Sequence, residues 1–468
     1  MFMVNKRRFF AVERWKPDAM RRQASRVVDR SRLLMAVVVT VVVAVGVGIV
    51  AYLLLHQLLP VGNDPIQPKD LTQFALTIAA GIGGVVALVV AYRRQQGIEQ
   101  GLFVERFGAA ASQLGHSDVA VRLAGVYAMA GVADEASILE RQQCVDVLCG
   151  YLRLPYSPSL GASHQSELQR KIPGREGGET TSRFQYRQND KEVRQTIVRV
   201  ITVHLQPGAA KSWSKCSFDF QGAALEDAAF IKVTFSGPWT SFKEVTFNGE
   251  TSFDEATFSR ESTFEGATFS GETSFDEATF SRESTFRGTT YNGETYFREA
   301  TFSRESSFSG ATFSGERTWF DRATFNGEQT WFDRATFNGE QTSFFDATFN
   351  GEQTSFSNAT FNGEQTSFSK ATFNADQTSF SNATFNGRRL TFFDARFNGT
   401  ESSFFDARFN GTETGFFETR FSGKRTLFGR ATFSADQTSF DVRCVKDVRQ
   451  RVGFLEVRRR PEAGCRWT

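Results

Sequence analysis

The 468-residue chain is 40% hydrophobic and carries 54 Lys and Arg against 52 Asp and Glu, a composition that excludes wholesale disorder over a length exceeding one typical domain. Its formal net charge of +2 hides a strong segregation. The first 32 residues hold ten basic against three acidic residues, residues 223–442 hold 31 acidic against 19 basic, and the tail from Arg443 is basic again, eight against three.

Residues 1–32 are a basic segment. Leu33 to Leu55 follows as 23 residues without a charge, long enough to cross a bilayer core of about 30 Å. A second uncharged stretch, Leu71 to Tyr92, comes after a short polar loop. The first stretch is longer than the apolar region of a signal peptide and shows no small-residue cleavage site, so residues 33–92 are expected to form a hairpin of two transmembrane helices. Cations flank the hairpin at Arg26, Arg30, Arg32, Arg93 and Arg94, whereas the connecting loop has Lys69 beside Asp64 and Asp70. The positive-inside rule then places both termini in the cytoplasm, with the plasma membrane as the location. Small residues four apart, Ala44 with Gly48 and Ala79 with Gly83, suit close helix packing. Gly81-Ile82-Gly83-Gly84 has no preceding strand and is not read as a nucleotide loop.

Residues 93–154 change to helical spacing, with a break at Leu114-Gly115, a second segment around Val121 to Ala128, and a third around Cys144 to Leu152. Short antiparallel helices are expected. Cys144 and Cys149 read as buried helix residues, and five scattered cysteines make no disulfide framework. Residues 155–190 are rich in Ser, Gly, Gln and charge and read as a flexible linker. Residues 191–210 contain a helix whose Ile197, Val198, Val200, Ile201 and Leu205 share one face, expected to cap the exposed end of the repeat domain C-terminal to it.

From 216 to 442 an aromatic residue returns with a fixed period. Phe247, Phe258, Phe269, Phe280, Tyr291, Phe302 and Phe313 are eleven apart, and Phe313 to Phe433 continue at twelve; a second series from Phe253 to Phe440 runs between them. Cut at these positions, the chain falls into five-residue units with one or two extra residues after every second unit. A period of five fits neither helix nor ordinary strand. It fits a chain that turns a corner after each short bridge, with the aromatic and the small residue two places before it pointing inward. Four units of this size leave room for the rings, so a four-sided coil of 22 to 24 residues is expected, with about nine or ten coils stacked into a rod roughly 45 Å long. Gly corners such as Asn326-Gly327-Glu328 and Asn350-Gly351-Glu352 are expected to supply positive φ. Residues 443–468 form a basic tail.

Ala223-Ala224-Leu225-Glu226-Asp227 and Ala228-Ala229-Phe230-Ile231-Lys232 resemble the A(D/N)LXX unit of the pentapeptide-repeat family, and the ATFNG and TSFDE units resemble its Phe-centred branch. The resemblance implies a right-handed quadrilateral β-helix. The strings RLAGVYA from Arg122 and RQQCVDVLCGYLR from Arg141 are similar to segments that accompany membrane-anchored members of actinobacterial type. The whole chain is thus expected to be a multidomain α plus β protein: two transmembrane helices, a small α-helical region, then the solenoid.

No catalytic constellation is visible. His56, His116, His164 and His204 lie in four separate segments without metal-ligand spacing, and the Ser and Thr of the ladder have no His beside them. Neither a cofactor nor a metal is expected. Corner carboxylates come singly, unlike the carboxylate rings of calcium-binding solenoids. Phe345, Phe393 and Phe417 stand just after the central aromatic in one column, interrupted by Ser369; Trp319 and Trp331 take normally polar places on opposite faces. Exposed, they would mark a partner-contact site, while a bulged coil would tuck the second Phe inside. The expected function is a membrane-anchored, non-catalytic interaction scaffold on the cytoplasmic face, with the lipid bilayer and a protein as partners, no nucleic acid, and oligomerisation left open. The alternative, implied by the family resemblance, is a DNA-mimic modulator of DNA gyrase; a charge of −12 over residues 223–442 falls far short of duplex charge density.

Overall fold

The computed structural model describes residues 68–158, 167–173, 179–185, 190–434 and 437–444. The basic segment 1–32, the first apolar stretch Leu33–Leu55 and nearly all of the tail lie outside these residues. The chain divides into two units, residues 1–102 and 103–468.

Helix α1 spans Pro68–Leu114, 47 residues without interruption, and opens on a proline, whose missing N–H costs nothing at a first helical position. It takes in both the second expected span and the first expected short helix, because no breaker separates Tyr92 from Gln95. Among the described residues no helix is long and apolar enough to cross a membrane. Two shorter helices follow in the second unit. Asp118 caps α2, Val119–Glu135, by accepting a hydrogen bond from the Ala120 amide, and Ser137 with Glu140 forms a reciprocal capping box on α3, Ile138–Leu152. Gly125 permits close packing of α2 on the end of α1, since a Cβ there would lie 2.7 Å from the Leu114 nitrogen. Cys144 and Cys149 are buried and free, as is Cys216. Burial pushes the Cys144 thiol up to about 12 and that of Cys216 up to about 11.

Residues 155–190, expected as a linker, contain an antiparallel hairpin: β1, Glu167–Pro173, pairs with β2, Glu179–Gln185, from Glu167↔Gln185 to Pro173↔Glu179. Next comes α4, Asp190–Leu205, whose Val193, Ile197, Val198, Val200, Ile201 and Leu205 are buried. It packs on Ala224–Ala229 of the first coil, covering an end that would otherwise expose core and strand edges. A buried ionic group holds this cap in place. The Asp190 carboxylate lies 3.8 Å from Arg122 and 3.7 Å from Arg194, and accepts a 2.6 Å hydrogen bond from the Tyr151 hydroxyl. Arg194 also donates to the carbonyls of Leu152 and Ala224, joining α3, α4 and the first coil.

The remaining chain is a β-solenoid of about nine turns. Parallel pairing links Thr268 to Thr290 and Thr290 to Thr312, then Thr312 to Thr336 and Thr336 to Thr360. The coil is therefore 22 residues at first and 24 later, and four short strands make one circuit, for example Thr324–Phe325, Gln329–Trp331, Thr336–Phe337 and Gln341–Ser343. The four-sided expectation holds.

Inside, the rings form four columns. Phe313, Phe337, Phe361 and Phe385 stack at 4.7 to 4.8 Å and within 8° of parallel, while columns on opposite sides of the coil meet edge to face, as Phe308 does Phe320 at 5.4 Å and 89°. Both geometries suit the ring quadrupole, and each pair adds about 0.5 to 1.5 kcal/mol beyond area burial. The small residue two places earlier is Ala on two opposite sides, such as Ala335 and Ala347, and Thr or Ser on the other two, such as Thr330 and Thr342, all buried.

One expectation about the corners is corrected. Positive φ occurs two places after the aromatic at the corners without an insertion, and mostly on non-glycine residues: Glu255 at 56°, Arg322 at 57°, Asn358 at 60° and Lys370 at 59°. Except at Gly249, where φ is 79°, the Gly corners do a different job. A Cβ on Gly351 would lie 1.8 Å from the Gly327 carbonyl oxygen, so glycine there lets successive coils stack closely. Ala375 takes the equivalent place one coil on, with its amide donating to the Phe349 carbonyl at 3.1 Å.

Candidate functional site

A packed interior leaves chemistry and recognition to the outer faces, where four kinds of surface stand out. The first is the place just after the central aromatic. Phe345, Phe393 and Phe417 point outward, 38 to 45% exposed, so the second Phe of each pair does not tuck into the core. Phe393 and Phe417 stack at 5.9 Å across one coil step, and Lys370 sits 5.2 Å over the Phe345 ring. Sequence reading missed Phe405, which is 40% exposed on the opposite side with Arg430 over its ring. Its signal was the same Phe-Phe pair, Phe404-Phe405, but standing alone in its column between Ser381 and Gly429.

Trp319 and Trp331 are half-buried on opposite sides of the rod, and their surroundings differ. Trp319 meets Tyr296 edge-on at 5.5 Å, and Arg298 and Arg317 lie 5.8 and 5.7 Å from its ring. Arg298 is itself paired with Asp276, whose hydrogen bond holds the guanidinium pKa up. Burial pushes the Tyr296 hydroxyl up to about 12. These neighbours already cover much of Trp319.

Trp331 instead closes one end of a groove of about 670 Å³ whose other end is Trp239. Three corners form its middle, Phe258 to Phe264, Phe280 to Phe286 and Phe302 to Phe308, each with five residues between aromatics. The bracketing corners, Phe235 to Phe242 and Phe325 to Phe332, have six, and they carry the tryptophans. Small side chains make the floor: Ser241, Thr263, Thr285 and Ser307 occupy one row along the rod, and Trp331 is its next member. The three short corners repeat Ser-Arg-Glu at 259–261, 281–283 and 303–305. Their glutamates line the groove, whereas Arg260, Arg282 and Arg304 line a separate recess of about 550 Å³.

Among the described residues no three His, Cys, Asp or Glu side chains gather as metal ligands. Corner carboxylates are instead tied to arginines one coil away: Arg389 reaches Glu413 at 2.8 Å, Arg425 reaches Glu401 at 3.2 Å and Arg430 reaches Asp406 at 3.0 Å.

The model of pentapeptide repeats, nine copies long, matches residues 230–279 and again residues 275–324. These are coils of the four-sided winding with inward aromatics. Residues 230–324 of the β-solenoid are thus similar to pentapeptide repeats. No curated protein and no solved structure matches the chain. Along the rod the outward places are free to vary without disturbing the columns, and the Phe-Phe pairs and the tryptophans are where they depart most from small polar residues.

Proposed function

We propose that this protein is a non-catalytic scaffold that holds a protein partner along a rigid pentapeptide-repeat rod tethered at the cytoplasmic face of a membrane. The observation that carries the reading is the filled interior: four aromatic columns, fully buried through the central coils, leave no internal chamber for a substrate and make the long faces the usable surface. The outward Phe345, Phe393 and Phe417 give one of those faces apolar anchors of the kind that dominate binding energy. Tethering is supported by the uncharged stretch Leu33–Leu55, which is long enough to cross a bilayer core. Duplex mimicry gains no support, because the corner acids are interleaved with arginines and paired to them between coils.

The test is a pull-down of the tagged full chain from detergent-solubilised membranes, beside the variant F345S/F393S/F417S. Serine already stands in that column at Ser369, so the variant keeps the coil. Recovery of a protein in stoichiometric amount by the wild type and its loss from the variant is expected. Fractionation of the chain with soluble proteins, or recovery unchanged by the variant, overturns the tethered reading or the anchor assignment respectively.

A further inference from the structure

The groove between Trp239 and Trp331 has features that the general scaffold reading does not use. Its two ends are aromatic, its floor is a row of small hydroxyl side chains, and one wall is a ladder of Glu261, Glu283 and Glu305. All three glutamates are exposed, and among the described residues none is in an ion pair, unlike the acids of the later coils. Successive coils bring their backbones to about 4.8 Å, so like charges stand close together along the ladder and a cation laid beside them relieves the repulsion. On the opposite wall Glu265 is offset by Lys243 at 3.7 Å, Asp333 accepts from the Ser357 amide at 3.0 Å, and Arg287 is the one cation of the lining. Five carboxylates against one guanidinium, with an indole at each end, make a surface for an extended chain of positive charge: carboxylates take the guanidinium or ammonium heads, and indole faces take a cation or an aliphatic stem.

We propose that this groove seats an extended segment of a partner protein rich in arginine and lysine. The inference rests on the scaffold reading and names the chemistry of its partner. Four coil steps from Trp239 to Trp331 give a groove of about 19 Å, enough for about six extended residues at about 3.3 Å each. The recess exists because the three middle corners are one residue shorter than their neighbours, so its length is set by the count of eleven-residue half-coils. The arginines of the same Ser-Arg-Glu corners line the adjoining recess, so from these three corners it is the glutamates that face a ligand in the groove.

The experiment measures anisotropy of a fluorescein-labelled Arg-Ser-Arg-Ser-Arg-Ser peptide with the full chain in detergent at physiological salt. E261Q/E283Q/E305Q is expected to weaken binding about 10-fold and W331S about 30-fold, as loss of a charged wall and of an aromatic anchor would. Serine stands at the Trp331 place in the next coil, Ser355, so W331S keeps the fold. The control E272Q/E294Q/E316Q removes three glutamates from the opposite corner and is expected to change affinity less than about 2-fold. Equal weakening by both triple variants would mean general attraction to an acidic rod and would overturn the proposal. So would tighter binding by R458S/R459S/R460S, which would make the chain's own basic tail the occupant. If the membrane pull-down still recovers its partner with E261Q/E283Q/E305Q, the scaffold stands and the groove is not its site.

Discussion

The first and second halves of the rod share one interior and differ in their walls. Up to about residue 312 the coil is 22 residues, the side strands are mostly two residues long, and corners read Ser-Arg-Glu or Gly-Glu; residues 223–316 carry 16 acidic against seven basic residues. Beyond it the coil is 24 residues, side strands lengthen to three, such as Gln341–Ser343 and Gln353–Ser355, and the balance over residues 317–442 is 15 against 12. The extra residue also changes what the wall is made of. Asn326, Asn350, Asn374 and Asn398 hydrogen-bond along one edge at 2.7 to 2.9 Å, and Asn338, Asn362, Asn386 and Asn410 along the opposite edge at 2.8 to 2.9 Å. A recessed, charged wall is thus replaced by a neutral ladder of amides on a flush face. Only the corner is redesigned, because the ring columns pass through the change unbroken: Phe302 stacks on Phe325 at 4.8 Å just as Phe280 stacks on Phe302.

The largest effect tests the common interior. Phe286→Ala in the first half and Phe361→Ala in the second should each cost about 3 to 5 kcal/mol, since both rings are fully buried between stacked neighbours and the cavity cannot collapse between fixed strands. Denaturant unfolding of each variant checks it. Costs differing by more than about 2 kcal/mol would mean that the two halves do not share one packing after all. A smaller change separates them. Tyr291 is the one tyrosine among the buried ring columns, and its hydroxyl has no hydrogen-bond partner among the described residues; burial holds its pKa well above the usual phenol value. Tyr291→Phe should raise stability by about 1 to 2 kcal/mol by removing an unpaired buried group, seen as a higher Tm. A loss would show that the hydroxyl is satisfied.

Asn362→Ala probes the amide ladder of the second half. The residue is exposed, yet it donates to Asn338 and accepts from Asn386, so the substitution removes two hydrogen bonds and should cost about 1 kcal/mol. An outward position alone would lead one to expect almost nothing. Hydrogen exchange localised to residues around Asn338 and Asn386 would show that the ladder carries the loss.

The four-sided coil was readable because a period of five, with an insertion after every second unit, permits so few windings that volume decides among them. The capping helix was readable from its apolar face. What escaped the sequence had physical reasons. At Glu255, Arg322 and Lys370 the left-handed backbone is imposed by hydrogen bonds from adjacent coils, such as Lys370 N–H to the Phe393 carbonyl, and not by a residue that favours it. Gly266, Gly288 and Gly310 at the same place were the clue. The hairpin of β1 and β2 escaped notice because it lay in a stretch rich in Ser, Gly, Gln and charge that read as linker. The groove stayed hidden because its parts come from corners 22 residues apart, although the threefold Ser-Arg-Glu was in plain view. The outward Phe pairs were placed correctly in their column, and whether they faced water depended on how a bulged corner closes.

The smallest expected effect concerns the charged wall itself. Glu283 stands between Glu261 and Glu305 in the ladder, and two carboxylates about 5 Å apart in water repel by roughly 0.8 kcal/mol before salt, falling to about half at physiological ionic strength. Arg260, Arg282 and Arg304 run along the same edge and return part of that cost, so Glu283→Gln should stabilise the rod by no more than about 0.5 kcal/mol. The sign and its salt dependence carry the information. In the first half the gain should shrink as salt rises, because screening has already removed the repulsion, whereas Asn386→Asp in the uncharged ladder should lose stability at every salt concentration by breaking its donation to Asn362. Parallel Tm measurements at low and high salt separate the two. Should the Glu283 gain stay constant with salt, the glutamate wall is held by contacts of its own and the contrast between a charged half and an amide half fails there.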